Sequence, residues 1–312
     1  MKLVLPADSS LMDAVHRLVP GASGRTLRQM LAHGRVRLNG RVAKVGSRRA
    51  HRGDIVEVAP GMAFRSPIAG LAILYEDKDI LLIEKPPGLL TVATLHERAR
   101  TAHAILRSYV KDRDSRQKLF VVHRLDKFAS GVLVFAKSES VQFRLKEIFS
   151  RHEIRRKYWA VVEGNVKQEQ GTIRSHLAQN RAGRMHSTGD SRSGKEAITY
   201  FRILRRLPQL TALEITLETG RKNQIRVHLS ELGHPIVGDR AYGSRLNPMG
   251  RMGLHAFLLA FRHPTSGTEV EVRTEVPQEF SRYLPRIPHT RPTRKSGHRH
   301  PHPSPRGDRH GE

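Results

Sequence analysis

The order of apolar and polar positions divides the chain into three stretches. Leu11 to Leu18 and Thr26 to Ala32 carry apolar residues at helical spacing, broken by "PGASG" at 20–24. "RVRLNGRVAK" places two β-rich arms around Asn39-Gly40, a strong hairpin signal, and "RGDIVEVA" predicts a third strand. Residues 1–60 therefore read as a small mixed unit. "GMAFRSPIAG", 61–70, reads as a Gly/Pro-punctuated linker.

From Leu71 to about Pro285 strands dominate. "AILYEDKDILLIEKPPG" predicts strand, acidic turn, strand and a Pro-Pro-Gly stop, with Lys85 in a structural turn. "TAHAILRSYV" predicts a helix and "GVLVFAK" a strand. Ser138 caps the next helix, whose Val141, Leu145, Ile148 and Phe149 share one face. "KYWAVVEG", "AITYFRILRR", "LTALEITLE", "LHAFLLAF" and "TEVEVRTEV" predict further strands. A helix from about Asn223 to Leu232 ends before Gly233, with Ile225, Leu229 and Leu232 as its buried stripe. The expected fold class is α+β (mixed): a small N-terminal domain, then a domain at 71–285 on a largely antiparallel mixed sheet with flanking helices. Residues 286–312 are Pro, His, Arg and Ser with almost no apolar content, which predicts a disordered tail.

Charge narrows the partner. The chain holds 55 Lys+Arg against 29 Asp+Glu, a formal net charge of +26. The tail from Arg286 holds seven Lys/Arg and two acids, so +21 belongs to the folded body. Such a body calls for a polyanion, most simply a nucleic acid. A membrane is disfavoured, since no long apolar run or basic amphipathic helix stands out. "MKLVLPADSS" lacks the apolar core of a signal peptide, so a cytoplasmic location is expected. With no cysteine, disulfides, thiolate nucleophiles and Cys-based zinc sites are excluded. Five of the 18 histidines lie in the tail, where only adventitious metal binding is expected. No interface patch can be read, so a monomer is expected.

Three stretches carry candidate chemistry. In "VVHRLDKFASGVLVFAKS" the carboxylate Asp126 sits among His123, Arg124 and Lys127. An acid in a phosphate-binding cleft weakens binding, so it either pairs with an arginine or does chemistry. In "RRKYWAVVEG", Tyr158 fits the core or offers a face to a nucleobase. In "LETGRKNQIRVHLSELGHPIVGDRAYG", Arg226 lies one residue from the apolar stripe, so its guanidinium should be partly buried and paired with an anion. Asp239 reads as a structural acid near this site.

Together these stretches resemble the pseudouridine synthases of the RluA type. The match is strongest at "HRLDKFASGVLVFAKS" and "TGRKNQIRVHLSELGHPIVGDRAYG", with support from "YEDKDILLIEKPPGLLTV" and "LHAFLLAFRHPTSG". Gly24 to Pro60 resembles an S4 RNA-binding domain, which implies RNA contacts by Arg25, Arg28, Arg35, Arg37 and Lys44. The resemblance implies conversion of uridine in RNA to pseudouridine without cofactor or metal. Asp126 would act at the ribose, as nucleophile at C1′ or as base at C2′. Tyr158 would stack on the uracil, and Arg226 would pair with Asp126 and keep it ionised and aimed. The target base must be flipped out, with His123 and Arg124 filling the gap or holding its phosphate, and Lys222 near the RNA. Large-subunit ribosomal RNA is the preferred substrate over tRNA, with ribosome assembly particles as possible partners. Ala129 stands where the family commonly has Thr, and Asn223 where it often has His. Two other readings compete: an S4-type RNA-binding factor without activity, and a metal-dependent nuclease, which needs clustered carboxylate or His ligands.

Overall fold

The computed structural model of the protein describes residues 2–19, 24–32, 36–58, 64–68, 71–94, 97 and 99–285. The N-terminal unit contains β1 (Lys2–Val4), β2 (Ser9–Ser10), α1 (Leu11–Leu18), α2 (Gly24–Ala32), β3 (Val36–Leu38), β4 (Arg41–Val42), β5 (Arg49–Ala50) and β6 (Ile55–Val58). Its sheet runs β1-β6-β3-β4. The β3–β4 hairpin turns on Asn39 and Gly40 at φ 50° and 77°, the left-handed pair that a two-residue turn of this kind requires. Leu11, Val15, Leu27, Leu31, Val36 and Val56 are its fully enclosed core. Ser10 caps α1 by accepting from the Asp13 N–H. The segment read as a helix from Thr26 begins at Gly24, while residues 20–23 lie outside the described residues.

The second part holds β7 (Phe64–Ile68), β8 (Leu71–Glu76), β9 (Ile80–Lys85), α3 (Ala102–Lys111), β10 (Phe120–Val121), β11 (Ser130–Ala136), α4 (Glu139–Ser150) and β12 (Ile154–Glu163). It continues with β13 (Gln170–Gln179), β14 (Met185–Thr188), β15 (Lys195–Leu207), β16 (Leu210–Leu217), α5 (Gln224–Glu231), β17 (Leu254–Arg262) and β18 (Glu269–Arg273). The strands form one 12-stranded sheet in the order β14-β13-β15-β16-β12-β17-β11-β9-β8-β7, with β10 beside β11 and β18 beside β17. Among the described strand pairs only β11–β17 is parallel, so the sheet is mixed and largely antiparallel, as the sequence predicts. Residues 64–68, inside the stretch read as a linker, instead form β7 and pair with β8. Strands β13 and β14 also escape the sequence reading, because their side chains are largely polar and half exposed. The tail 286–312 lies outside the described residues.

The parallel junction fixes the middle of the sheet. One transverse row runs from Lys85 through Gly131, Ala256 and Tyr158 to Ile215. At Gly131, φ is +120° and a Cβ would lie 2.1 Å from the Ala256 carbonyl oxygen. Only glycine permits that approach. Gly131→Ala should therefore cost about 3 kcal/mol or more from overlap and strain together. Gly267→Ala, at φ +71° with open space around it, should cost about 1 kcal/mol. Denaturant midpoints of the two variants check this, and equal losses would refute it.

Candidate active site

Asp126 sits in the loop between β10 and β11, and the loop is held from both sides. The Thr91 hydroxyl donates to the Leu125 carbonyl at 2.8 Å and accepts from the Leu125 N–H at 3.1 Å. The Lys127 carbonyl accepts from the Gly88 N–H at 2.8 Å and from Lys85 Nζ at 3.2 Å. Lys85 is fully buried, and its ammonium also donates to the carbonyls of Pro86 and Leu89. Burial pulls the Lys85 amine down to about 7, with the Arg251 charge adding to the drop and Asp126 opposing it. Lys85 is thus the structural turn residue that the sequence predicts, tying the Pro-Pro-Gly turn to the Asp126 loop.

Arg226 is delivered by α5. The Gln224 side chain locks the turn before this helix: its Oε1 accepts from Thr219 Oγ1 and the Arg221 N–H, and its Nε2 donates to Ile198 O and Thr199 Oγ1. Leu232, read as part of the buried stripe, is 40% exposed. It lies past the last helical residue, where the chain turns at Gly233. The enclosed face is completed by polar groups instead: His228 is fully buried, with its ring nitrogens on Thr199 Oγ1 and Ser175 Oγ.

The Arg226 guanidinium is shared. Nε and Nη2 donate bidentately to Asp239 at 2.7 and 2.8 Å. Nη1 donates to Asn223 Oδ1 at 3.1 Å and reaches Asp126 Oδ2 only at 3.5 Å. Its plane lies over the Tyr242 ring at 4.6 Å. The expected partner, Asp126, is therefore the weaker of two, and Asp239 sets the orientation. Burial pushes the Asp126 carboxyl above the usual aspartate range; Arg226 and Arg124 oppose this, and Asp239 adds to it. Arg226 thus meets Asp126 from the edge of its pair with Asp239, and its charge opposes the upward push of burial on the Asp126 carboxyl.

Tyr158, on β12, is 7% exposed, and burial raises its phenol. It borders the same open cleft as Arg124, Asp126, Arg221, Asn223 and Arg226. Arg124 is exposed at the rim. His123 is half-buried, and its ring is engaged within the fold. Its Nε2 accepts the Val134 N–H at 3.2 Å, continuing the ladder where β10 stops, and its ring packs against Phe149. Burial, reinforced by Arg156, holds it neutral down to about 3. Lys222 is exposed and donates to the Gly183 carbonyl at 3.3 Å; its neighbour Arg221 lines the cleft. Arg28, Arg37 and Lys44 are exposed on the N-terminal unit. The Arg25 side chain and all of Arg35 lie outside the described residues.

Two other constellations do different work. Ser130 Oγ and His255 Nδ1 are 2.6 Å apart, the spacing of a nucleophile and its base. Both are buried, Arg251 donates to the same hydroxyl, and His255 passes the chain on to Thr274. No substrate reaches this chain, which anchors the start of β11 to β17. Asp77, Asp79 and His263 lie close enough to share a cation. However, His263 Nδ1 accepts from the Thr265 and Ser266 N–H groups. That puts the ring proton on Nε2, 3.0 Å from Asp77 Oδ2, where a cation would have to displace it.

An acid, an aromatic ring and a guanidinium thus meet in one cleft. Residues 79–231 match the RNA pseudouridylate synthase family, and residues 10–56 match the S4 domain. The chain is 32% identical over 288 residues to the ribosomal large subunit pseudouridine synthase D of Escherichia coli, covering 86% of this chain and 88% of that protein. It is 31% identical to the uncharacterized RNA pseudouridine synthase YlyB of Bacillus subtilis, covering 83% of this chain and 87% of that one. The human RNA pseudouridylate synthase domain containing 4 structure matches with a TM-score of 0.56 at 25% identity, over 67% of this chain and 89% of that one. The chain belongs to the RNA pseudouridylate synthase family and joins its catalytic domain to an N-terminal S4 domain.

Proposed function

We propose that this pseudouridine synthase acts on large-subunit ribosomal RNA in the cytoplasm, with Asp126, Tyr158 and Arg226 as its working set. The observation that carries the residue assignment is their convergence on one open cleft in a chain of net charge +26. The substrate class is supported by the name of the Escherichia coli relative. No helix among the described residues is long and apolar enough to cross a membrane.

The target uridine is flipped into the cleft, stacking on Tyr158, with Arg124 at the rim to hold a phosphate or fill the gap. The N1–C1′ bond breaks and its electron pair leaves with the uracil. Asp126 either bonds to C1′ or takes the C2′ proton to leave a glycal. The uracil turns and C5 bonds to C1′ as Asp126 leaves C1′ in the first route or returns its proton to C2′ in the second; the C5 proton departs and N1 takes up a proton. The reaction is an isomerisation and needs no external electron acceptor. Arg226 aims Asp126, and Asp239 aims Arg226.

Wild type and Asp126→Asn are compared on total RNA from a strain lacking the gene, with pseudouridines mapped by chemical labelling and EDTA present. New pseudouridine at one or a few ribosomal positions with wild type only is expected. Sites confined to tRNA would overturn the substrate assignment; a fully active Asp126→Asn would overturn the site. If purified RNA gives nothing, precursor ribosomal particles are the second substrate.

A pH profile tests the shared guanidinium. A carboxyl raised by burial stays protonated to higher pH, so activity needing the carboxylate should fall as pH drops through a value above the usual aspartate range. Asp239→Asn removes a neighbouring negative charge and frees Arg226 for Asp126. Both effects lower the Asp126 pKa, so the acid limb of kcat should move to lower pH while kcat at neutral pH declines from poorer aim. An unmoved limb would refute this account. On the N-terminal unit, replacing Arg28, Arg37 and Lys44 together by Gln should weaken RNA binding with kcat unchanged. The salt slope of binding should fall by about 1 for each phosphate no longer neutralised. An unaltered slope would place the RNA elsewhere.

A further inference from the structure

Arg156 lies on β12 two residues before Tyr158, and Ile154, Arg156 and Tyr158 all turn inward. The residue is only 7% exposed. Nη2 donates to the Glu218 carbonyl at 3.1 Å and the guanidinium lies 5.5 Å from the Phe149 ring centroid. Nε is buried without a hydrogen-bond partner, and among the described residues no carboxylate forms an ion pair with this arginine. A buried cation without a counter-ion is costly, and an apolar side chain would fill the same slot more favourably. The fold nevertheless makes room for it. At Gly220 a Cβ would come within 2.3 Å of Arg156 Nη1, so the guanidinium occupies space that only a glycine leaves. That turn leads directly into Arg221, Asn223 and Arg226, which border the cleft.

The chemistry supplies a use for this charge. When N1–C1′ breaks, the departing uracil carries the bond's electron pair as an anion. On the Asp126 side of the cleft the Arg226 guanidinium already serves two carboxylates, Asp126 and Asp239, while Arg124 and Arg221 lie exposed at the rim, so Arg226 is not free for a second anion. The Tyr158 side carries Arg156, a positive charge without an acid of its own. In a dry interior such a charge acts over several ångströms without contact.

We propose that Arg156 is the counter-charge for the anionic uracil, acting from behind Tyr158 as a positioning residue that favours the bond-breaking step. This rests on the reading of Tyr158 as the surface that carries the base.

The full-length enzyme is assayed by tritium release from target RNA labelled at uracil C5, with thermal melting and RNA binding measured alongside. Arg156→Gln should lower kcat on the order of 100-fold and leave KM within about twofold of wild type. Arg156→Lys, which keeps the charge, should restore most of the rate. A second RNA carries 5-fluorouridine at the target. Fluorine stabilises the departing anion, so under single turnover the Gln deficit in N1–C1′ cleavage should shrink on this RNA. If Arg156→Gln does not fold, Arg156→Met serves instead: it fills the slot without the charge, and should lower kcat with KM unchanged. Wild-type kcat in folded Arg156→Gln or Arg156→Met would overturn the proposal. So would equal deficits on both RNAs, which would make Arg156 a staple of the Thr219–Gly220 turn. Tyr158→Leu with wild-type kcat and KM would sink the reading of Tyr158, separately from these outcomes.

Discussion

The backbone contact between Gly131 and Ala256 is the constraint from which the catalytic domain is built. It is the point where the antiparallel runs on either side meet as parallel neighbours. The same row carries Tyr158 on one side and Lys85 on the other. Because Asp126 lies only five residues before Gly131 in the chain, the junction fixes the loop's exit. Lys85 and Thr91 fix its middle through hydrogen bonds to main-chain groups. The acid is therefore held by backbone geometry, and its environment is left to tune its charge.

That tuning is a balance between desolvation and a divided cation. A bidentate pair with Asp239 satisfies most of Arg226, and the remaining Nη1 spreads over Asn223 and Asp126. A carboxylate in full contact with its own arginine would be a poor base and a reluctant nucleophile. One held at the edge of a neighbouring pair stays reactive and stays aimed. The basic surface that recruits a polyanion and the local shortage of positive charge at Asp126 are thus compatible, since they operate over different distances.

Much of this is legible in the sequence, and the omissions have physical causes. Asn39-Gly40 and Ser138 declare themselves through local chemistry, whereas Asp126, Tyr158 and Arg226 stand out through the family resemblance of the stretches that hold them. Strands β13 and β14 do not, because they lie at one end of the sheet with polar side chains. Periodicity misplaces the buried face of α5 at Leu232 because it counts only apolar residues, while Gln224 and His228 are buried through hydrogen bonds to β15. His123 looks like a cation for RNA, but a backbone N–H with no strand partner claims its lone pair. Asp239 reads as an acid near the site, yet no spacing rule says which of two acids a guanidinium will grip in two places.

The packing around β12 also makes the molecule self-reporting. The chain has a single tryptophan, Trp159, beside Tyr158 in sequence. Its indole is 4% exposed and stacked between His255 and Phe257, at 5.7 and 4.2 Å between ring centroids. Its emission therefore reports on the strand that carries Tyr158 and not on the N-terminal unit, which holds no tryptophan. Backbone circular dichroism reports on both units and tryptophan fluorescence only on the larger one, so any gap between their unfolding curves measures how independently the two units come apart.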